Sequence, residues 1–169
     1  MHILKPDIYI KRALDLDMDA LWERGIRGVV LDVDNTLVPH NSMEVTPTAR
    51  EFVEALKARN FKIIVLSNNH QERVAPLCDE LGLSYEYDCL KPKKKFYRLA
   101  MKKMGTTPEQ TVAIGDQFLT DVWGGNRSGL LTVLVHPIVE ANETRFIVLK
   151  RKYEKHLYRK FHLESHQSQ

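Results

Sequence analysis

The stretch Gly28-Val29-Val30-Leu31-Asp32-Val33-Asp34-Asn35-Thr36 passes from residues without a polar side chain to carboxylates and an amide within nine positions. A short continuous apolar run reads as a strand buried on both faces, because a half-exposed strand would alternate polar with apolar. On its amino side, Asp17 caps a short helix from about Met18 to Arg24 that ends at Gly25. On its carboxyl side, Thr46-Pro47 opens a helix to about Arg59 with Phe52, Val53 and Leu56 inward, and Phe61 to Leu66 is a second apolar strand. Gln71 to Leu81 reads as a helix ended by Gly82, Leu83 to Asp88 as a weaker strand, and Lys93 to Met104 as a helix ended by Gly105. Thr111 to Ile114 is a strand, Leu119 to Ser128 a helix, and Leu130 to Val135 a last strand stopped by Pro137. Apolar strands alternating with amphipathic helices predict a doubly wound α/β domain, a mostly parallel sheet with helices on both faces. Ligands bind such sheets beyond the carboxyl ends of the strands, where strand order reverses.

Length and composition narrow the field. A chain of 169 residues fits one domain with a core of its own. No apolar run approaches the ~20 residues of a membrane span, and Lys5, Pro6 and Asp7 interrupt the start where a signal peptide needs an apolar stretch, so a cytoplasmic protein is expected. Cys78 and Cys89 lack partners at metal-ligand spacing and read as reduced core residues. The net charge of +3 is uneven: residues 145–169 carry seven Lys and Arg against two Glu.

Four strand ends carry polar residues: Asp32 and Asp34, then Ser67 and Asn68, then Lys91, then Asp116 with Asp121. Asp32 and Asp34 stand two apart, so their side chains share a face, and like charges this close repel unless a cation or proton intervenes. With Asp116 as a third carboxylate and few nitrogen or sulfur ligands nearby, the set suits Mg²⁺ over Zn²⁺. Lys91 and the Ser67 hydroxyl would face the other side of a bound anion, and phosphate fits between. Each residue alone has an ordinary explanation, since an Asp after a strand often caps a helix and Ser67-Asn68-Asn69 could cap the one beginning near Gln71. A calcium loop starting at Asp32 is excluded by Leu37 where Gly is required and Met43 where a bidentate Glu belongs.

In this order DVDNT, SNN, KP and GDQFLTD resemble the four motifs of haloacid dehalogenase-like phosphatases, across about Val29 to Val135. RGIRGVVLDVDNTLV, VLSNNHQERV and IGDQFLTDVWGGNRSGLLTVLV resemble more narrowly the YqeG-type branch, related to phosphatidylglycerophosphate phosphatases. The resemblance implies Asp32 as nucleophile, forming an aspartyl-phosphate, and Asp34 as the acid for the leaving group and then the base for water. It implies Mg²⁺ held by Asp32, the backbone carbonyl of Asp34 and Asp116, phosphate held by Ser67, Asn68 and Lys91, and Asp121 orienting Lys91 or a metal-bound water.

Relatives control access to this site with cap insertions. Thirty residues separate Thr36 from Ser67 and twenty-three separate Ser67 from Lys91, each span used up by a helix and a strand, so the site is expected to be capless. An uncovered site accepts groups presented by something large. In the tail Phe146, Leu149, Tyr153, Leu157 and Phe161 recur at steps of three or four among Lys150, Arg151, Lys152, Lys155, Arg159 and Lys160, a basic amphipathic helix that either packs on the protein or docks on anionic lipid. The expected organisation is an N-terminal segment over 1–27, a phosphatase domain over 28–139 and the basic helix over 140–169. The expected reaction is removal of the terminal phosphate of phosphatidylglycerophosphate, with peripheral contact on the inner face of the membrane through 145–169 and no nucleic acid partner. Still open are a capless phosphatase of phosphoprotein, nucleic acid ends or small phosphomonoesters, and, from another class, a phospho-accepting receiver or an inactive binding module.

Overall fold

The computed structural model describes residues 2–40, 42–138 and 145–163, with the side chains of 145–151 outside the description. The chain divides into two compact units, Met1–Ile138 and Val139–Gln169.

The first unit is built on six parallel strands: β1 (Ile8–Ile10), β2 (Gly28–Leu31), β3 (Lys62–Leu66), β4 (Ser84–Glu86), β5 (Thr111–Gly115) and β6 (Leu131–Val135), in the spatial order β1-β6-β5-β2-β3-β4. The chain winds from β2 out to β4, crosses back to β5 on the other flank of β2, and winds out to β6. The reversal therefore falls between β2 and β5, and the residues leaving them, Asp32 and Asp116, stand at the crevice where such sheets bind ligands.

Alternate residues of one strand build two different cores. Val29 and Leu31 join Val65, Val112, Ile114 and Val133 beneath α2 (Pro47–Ala58) and α3 (Gln71–Leu81), with Phe52, Val53, Leu56 and Leu77 packed among them. Val30 turns to the opposite face with Ile64, Leu66 and Ala113, against Tyr97, Ala100 and Met101 of α4 (Lys94–Met104). This two-sided burial is why β2, and β5 from Val112 on, carry no polar side chain. Thr46 Oγ1 accepts from Ala49 N at 3.1 Å to cap α2, and Asp17 Oδ1 accepts from Ala20 N at 2.9 Å to cap α1 (Met18–Glu23).

Two features differ from the sequence reading. The segment 1–27 contributes β1, which pairs with β6 from Ile8↔Val133 to Ile10↔Val135 and is secured by Asp7 Oδ2, accepting from Thr132 N at 2.8 Å. The stretch read as one helix from Leu119 begins as a π-helical turn over Phe118–Val122 and becomes α-helical only in α5 (Trp123–Ser128). Among the described residues the chain from β2 to β5 holds only α2, β3, α3, β4, α4 and a short 3₁₀ turn at Pro108–Gln110, as expected of an uncapped sheet.

The second unit contains α6 (Arg145–Lys160). On it Leu157 is buried, Tyr158 and Phe161 are half-buried, and Lys152, Lys155, Arg159 and Lys160 are exposed, as is Tyr153, which the sequence places on the apolar stripe. The side chains of Phe146, Leu149, Lys150 and Arg151, and residues 139–144 and 164–169, lie outside the described residues.

Candidate active site

Asp32 follows β2 directly, and its amide donates to the Ile114 carbonyl at 2.9 Å, so the β2–β5 ladder extends one residue into the site. Asp116 follows β5 in the same way. Asp121 arrives from the π-helical turn, where widened hydrogen bonding turns its side chain back toward β5. One carboxylate oxygen from each of Asp32, Asp116 and Asp121 falls within 4.8 Å of the others, and all three residues are buried. Gly115 makes this approach possible: a Cβ there would lie 2.3 Å from Asp121 Cγ.

Lys91 enters from the β4–α4 loop. Its Nζ donates to Asp32 Oδ1 at 2.6 Å and to Asp121 Oδ1 at 2.7 Å with only 4% of the side chain exposed. Burial works against its ammonium, but Asp121 and Asp32 outweigh it and hold its pKa well above the ordinary value. Burial also drives the Asp32 carboxyl up, with Lys91 opposing, to about 7. Three carboxylates and one ammonium leave a formal charge of −2 in a buried oxygen-rich cluster. That set fits one hard divalent cation and is poorly matched to zinc.

Ser67 is buried at the end of β3, its Oγ accepting from Asn69 N at 3.1 Å. Asn68 is exposed, and its Oδ1 accepts from Lys91 N at 2.6 Å, so the residue expected at phosphate also holds the lysine's backbone in place. Cys89 and Cys78 are free and buried, and burial pushes both thiols up, to about 11 and about 12, which keeps them protonated.

The Asp34 carboxylate is held from α3 and from the loop after β2. The strand has ended, Asn35 takes φ 57°, and the Asp34 carboxylate points to α3. Asn69 Nδ2 donates to its Oδ2 at 2.5 Å, Arg73 Nη2 donates to its Oδ1 at 2.5 Å, and His40 Nδ1 lies 3.8 Å away. Arg73 Nη1 also donates to the Ser42 carbonyl and reaches Met43 Sδ at 3.1 Å, tying the loop after β2 to α3. Asn69, Arg73 and His40 are site residues that the sequence reading does not single out. The signal for Asn69 and Arg73 lies in the SNNHQER run, where an Arg falls in the first turn of the helix that follows the Ser67 strand end, whereas His40 lies outside it.

A family model described as haloacid dehalogenase-like hydrolase matches residues 40–129, and one described as mitochondrial PGP phosphatase matches residues 1–76. The chain is 36% identical over 162 residues to a probable phosphatase YqeG of Bacillus subtilis (strain 168), covering 94% of each protein. It is 30% identical over 158 residues to phosphatidylglycerophosphate phosphatase 1, chloroplastic/mitochondrial, of Arabidopsis thaliana, covering 88% of this chain but only 45% of that protein. In fold it is similar to the cobalt-bound form of the deoxy-D-mannose-octulosonate 8-phosphate phosphatase of Haemophilus influenzae, with a TM-score of 0.52 at 22% identity, over 66% of this chain and 69% of that one.

Proposed function

This chain belongs to the haloacid dehalogenase-like phosphatases, and from that premise we propose that its strand-end cluster is a Mg²⁺-dependent phosphomonoesterase acting through an aspartyl-phosphate on Asp32. The observation that carries this reading is the buried trio Asp32, Asp116 and Asp121 closed by Lys91 at the sheet's switch point. Asp32, Asp116 and the Asp34 carbonyl are the proposed metal ligands, with Asp121 near enough to share that role while holding Lys91. Bound there, Mg²⁺ would supply charge neutralisation on the phosphoryl oxygens. An Asp32 oxygen attacks phosphorus while the bond to the leaving oxygen breaks, and Asp34 protonates that oxygen. Asp34 then takes a proton from water attacking the aspartyl-phosphate, which releases phosphate and restores Asp32. Ser67 Oγ, Lys91 Nζ and the Asn68 amide nitrogen are the proposed donors to the phosphoryl oxygens.

The proposed substrate is the terminal phosphate of phosphatidylglycerophosphate, met at a membrane surface. The uncapped site, the similarity to the Arabidopsis phosphatase and the exposed Lys152, Lys155, Arg159 and Lys160 of α6 support it. No helix among the described residues is long and apolar enough to cross a membrane, so contact would be peripheral. The test is phosphate release with Mg²⁺ from phosphatidylglycerophosphate in vesicles, glycerol 3-phosphate, nucleotides and phosphopeptides. The lipid is expected to be preferred, and Asp32→Asn is expected to lower turnover by at least about 10⁴-fold with the fold intact. Equal turnover of the soluble esters would overturn the substrate, and an active Asp32→Asn would overturn the mechanism.

A further inference from the structure

Among the described residues of the first unit, five large apolar side chains are exposed, and they are unevenly placed. Met43 lies in the loop after β2, Tyr87 and Leu90 in the loop after β4, and Ile138 just after β6, all at the carboxyl edge of the sheet around the candidate site. Ile3, ahead of β1, is alone at the opposite edge. In a parallel sheet every carboxyl end opens on one side, so four of the five share the edge that carries the candidate site.

Hydrogen bonds bind these loops into one rim. Arg73 joins the Met43 loop to α3, Cys89 N donates to the Ser67 carbonyl at 3.0 Å, Asp88 N donates to the Asn69 carbonyl at 3.0 Å, and Ile138 N donates to the Asn35 carbonyl at 3.0 Å. Leu90 is 57% exposed and is held at φ 48°, a left-handed conformation that Leu rarely adopts, immediately before the lysine of the site. Leu90 is thus an apolar side chain held in water, in a strained backbone conformation, beside the site. A cavity of about 390 Å³ walled by Leu37, Phe52, Val135 and Pro137 lies at the same edge, with Lys11 and Ile138 among its lining residues.

Charge completes the pattern. Lys11 and Arg12 leave β1 at this edge, and Lys93, Lys94 and Lys95 follow Leu90, with Lys11, Arg12, Lys93 and Lys95 exposed. The facing acids are Asp15, paired with Arg12, Asp88, paired with His70, Glu44, and Glu72 in the first turn of α3. Apolar tips set among surplus cations suit a surface that is apolar below and anionic at its headgroups.

We infer that the rim of the candidate site, formed by Met43, Tyr87, Leu90 and Ile138 with Lys11, Lys93 and Lys95, is itself a docking surface for an anionic phospholipid bilayer, independent of α6. The inference deepens the proposed lipid substrate and rests on it. Docking by the rim sets the mouth of the site against the headgroups, so a membrane-borne phosphate enters without a lid.

The test is co-sedimentation of the full chain with phosphatidylglycerol/phosphatidylcholine vesicles and with pure phosphatidylcholine vesicles. Wild type is expected to prefer the anionic vesicles. Leu90→Asn with Ile138→Asn is expected to lower partitioning about tenfold or more, with p-nitrophenyl phosphate turnover unchanged, because Asn accepts a left-handed φ and keeps Lys91 in place. Ile3→Asn, at the opposite edge, is expected to change neither. Should the double variant fail to fold, Lys93→Gln with Lys95→Gln carries the same prediction for anionic vesicles. Unchanged partitioning in these variants, an equal loss with Ile3→Asn, or equal wild-type binding to both vesicle types overturns the inference. Vesicles that bind wild type while their phosphatidylglycerophosphate stays intact would overturn the substrate and leave the surface standing.

Discussion

The two edges of the sheet turn the chain by different means. At the amino edge α3 and α4 end on Gly82 and Gly105, with φ 61° and 64°, where the missing Cβ removes the cost of a left-handed residue. At the carboxyl edge Asn35, Asp88 and Leu90 take φ 57°, 50° and 48° while keeping their side chains. Asn60, between α2 and β3, is the amino edge's exception, and Asn tolerates the region better than most. The carboxyl edge also holds Asp32, Asp34, Asp116, Asp121 and Lys91, all buried. Local hydrogen bonds offset part of this: Asn35 Oδ1 accepts from His40 N at 2.9 Å, and Asp88 pairs with His70 at 2.7 Å. One edge is arranged for stability. The other carries strain and desolvated charge that only a task at that edge would retain.

The contrast breaks most visibly at Gly115. Gly115→Ala should displace Asp121 from Lys91 and lower p-nitrophenyl phosphate turnover by about 10²-fold, the scale of an ångström misplacement, with the circular dichroism spectrum retained. Turnover near the wild-type value would show that Asp121 has room the structure does not give it. Next in size is Arg73→Met, which removes one of the two donors on Asp34. Since proton transfer contributes typically 10²–10⁴-fold, turnover of an alkyl phosphate, whose leaving group needs the proton, should fall about tenfold more than that of an aryl phosphate. Equal losses on both would reduce Arg73 to a structural tie. The smallest effect belongs to the other edge: Gly82→Ala should cost about 1–2 kcal/mol of stability in urea melts and leave turnover at 25 °C unaltered. Lost turnover in a folded Gly82→Ala protein would erase the division of labour.

Where the chain announces its own turns, local chemistry was enough. Thr46-Pro47, Gly82 and Gly105 mark helix ends, and α3 spans the predicted Gln71 to Leu81. The apolar runs Val29-Val30-Leu31 and Val112-Ala113-Ile114 put Asp32 and Asp116 at strand ends. β1 is different: Ile8, Tyr9 and Ile10 are half-buried, too few to show a period, and their pairing partner lies over a hundred residues away. The π-helical turn escapes because its bonding pattern leaves no apolar period of its own. Asp34 shows the limit most clearly. Its place after the strand is written locally, but its direction depends on Asn69 and Arg73, which only the packing of α3 brings alongside.

That remote partnership of β1 has a temporal side. Asp7 bonds Thr132, 125 residues further along. At roughly 5–20 residues per second of synthesis, the first strand waits on the order of ten seconds before its neighbour exists. Its three-residue length then has a use during translation, since a short strand offers little ladder to a wrong neighbour. The sheet's first strand in the chain thus has no partner to close its edge until β6 is made, after both β2 and β5.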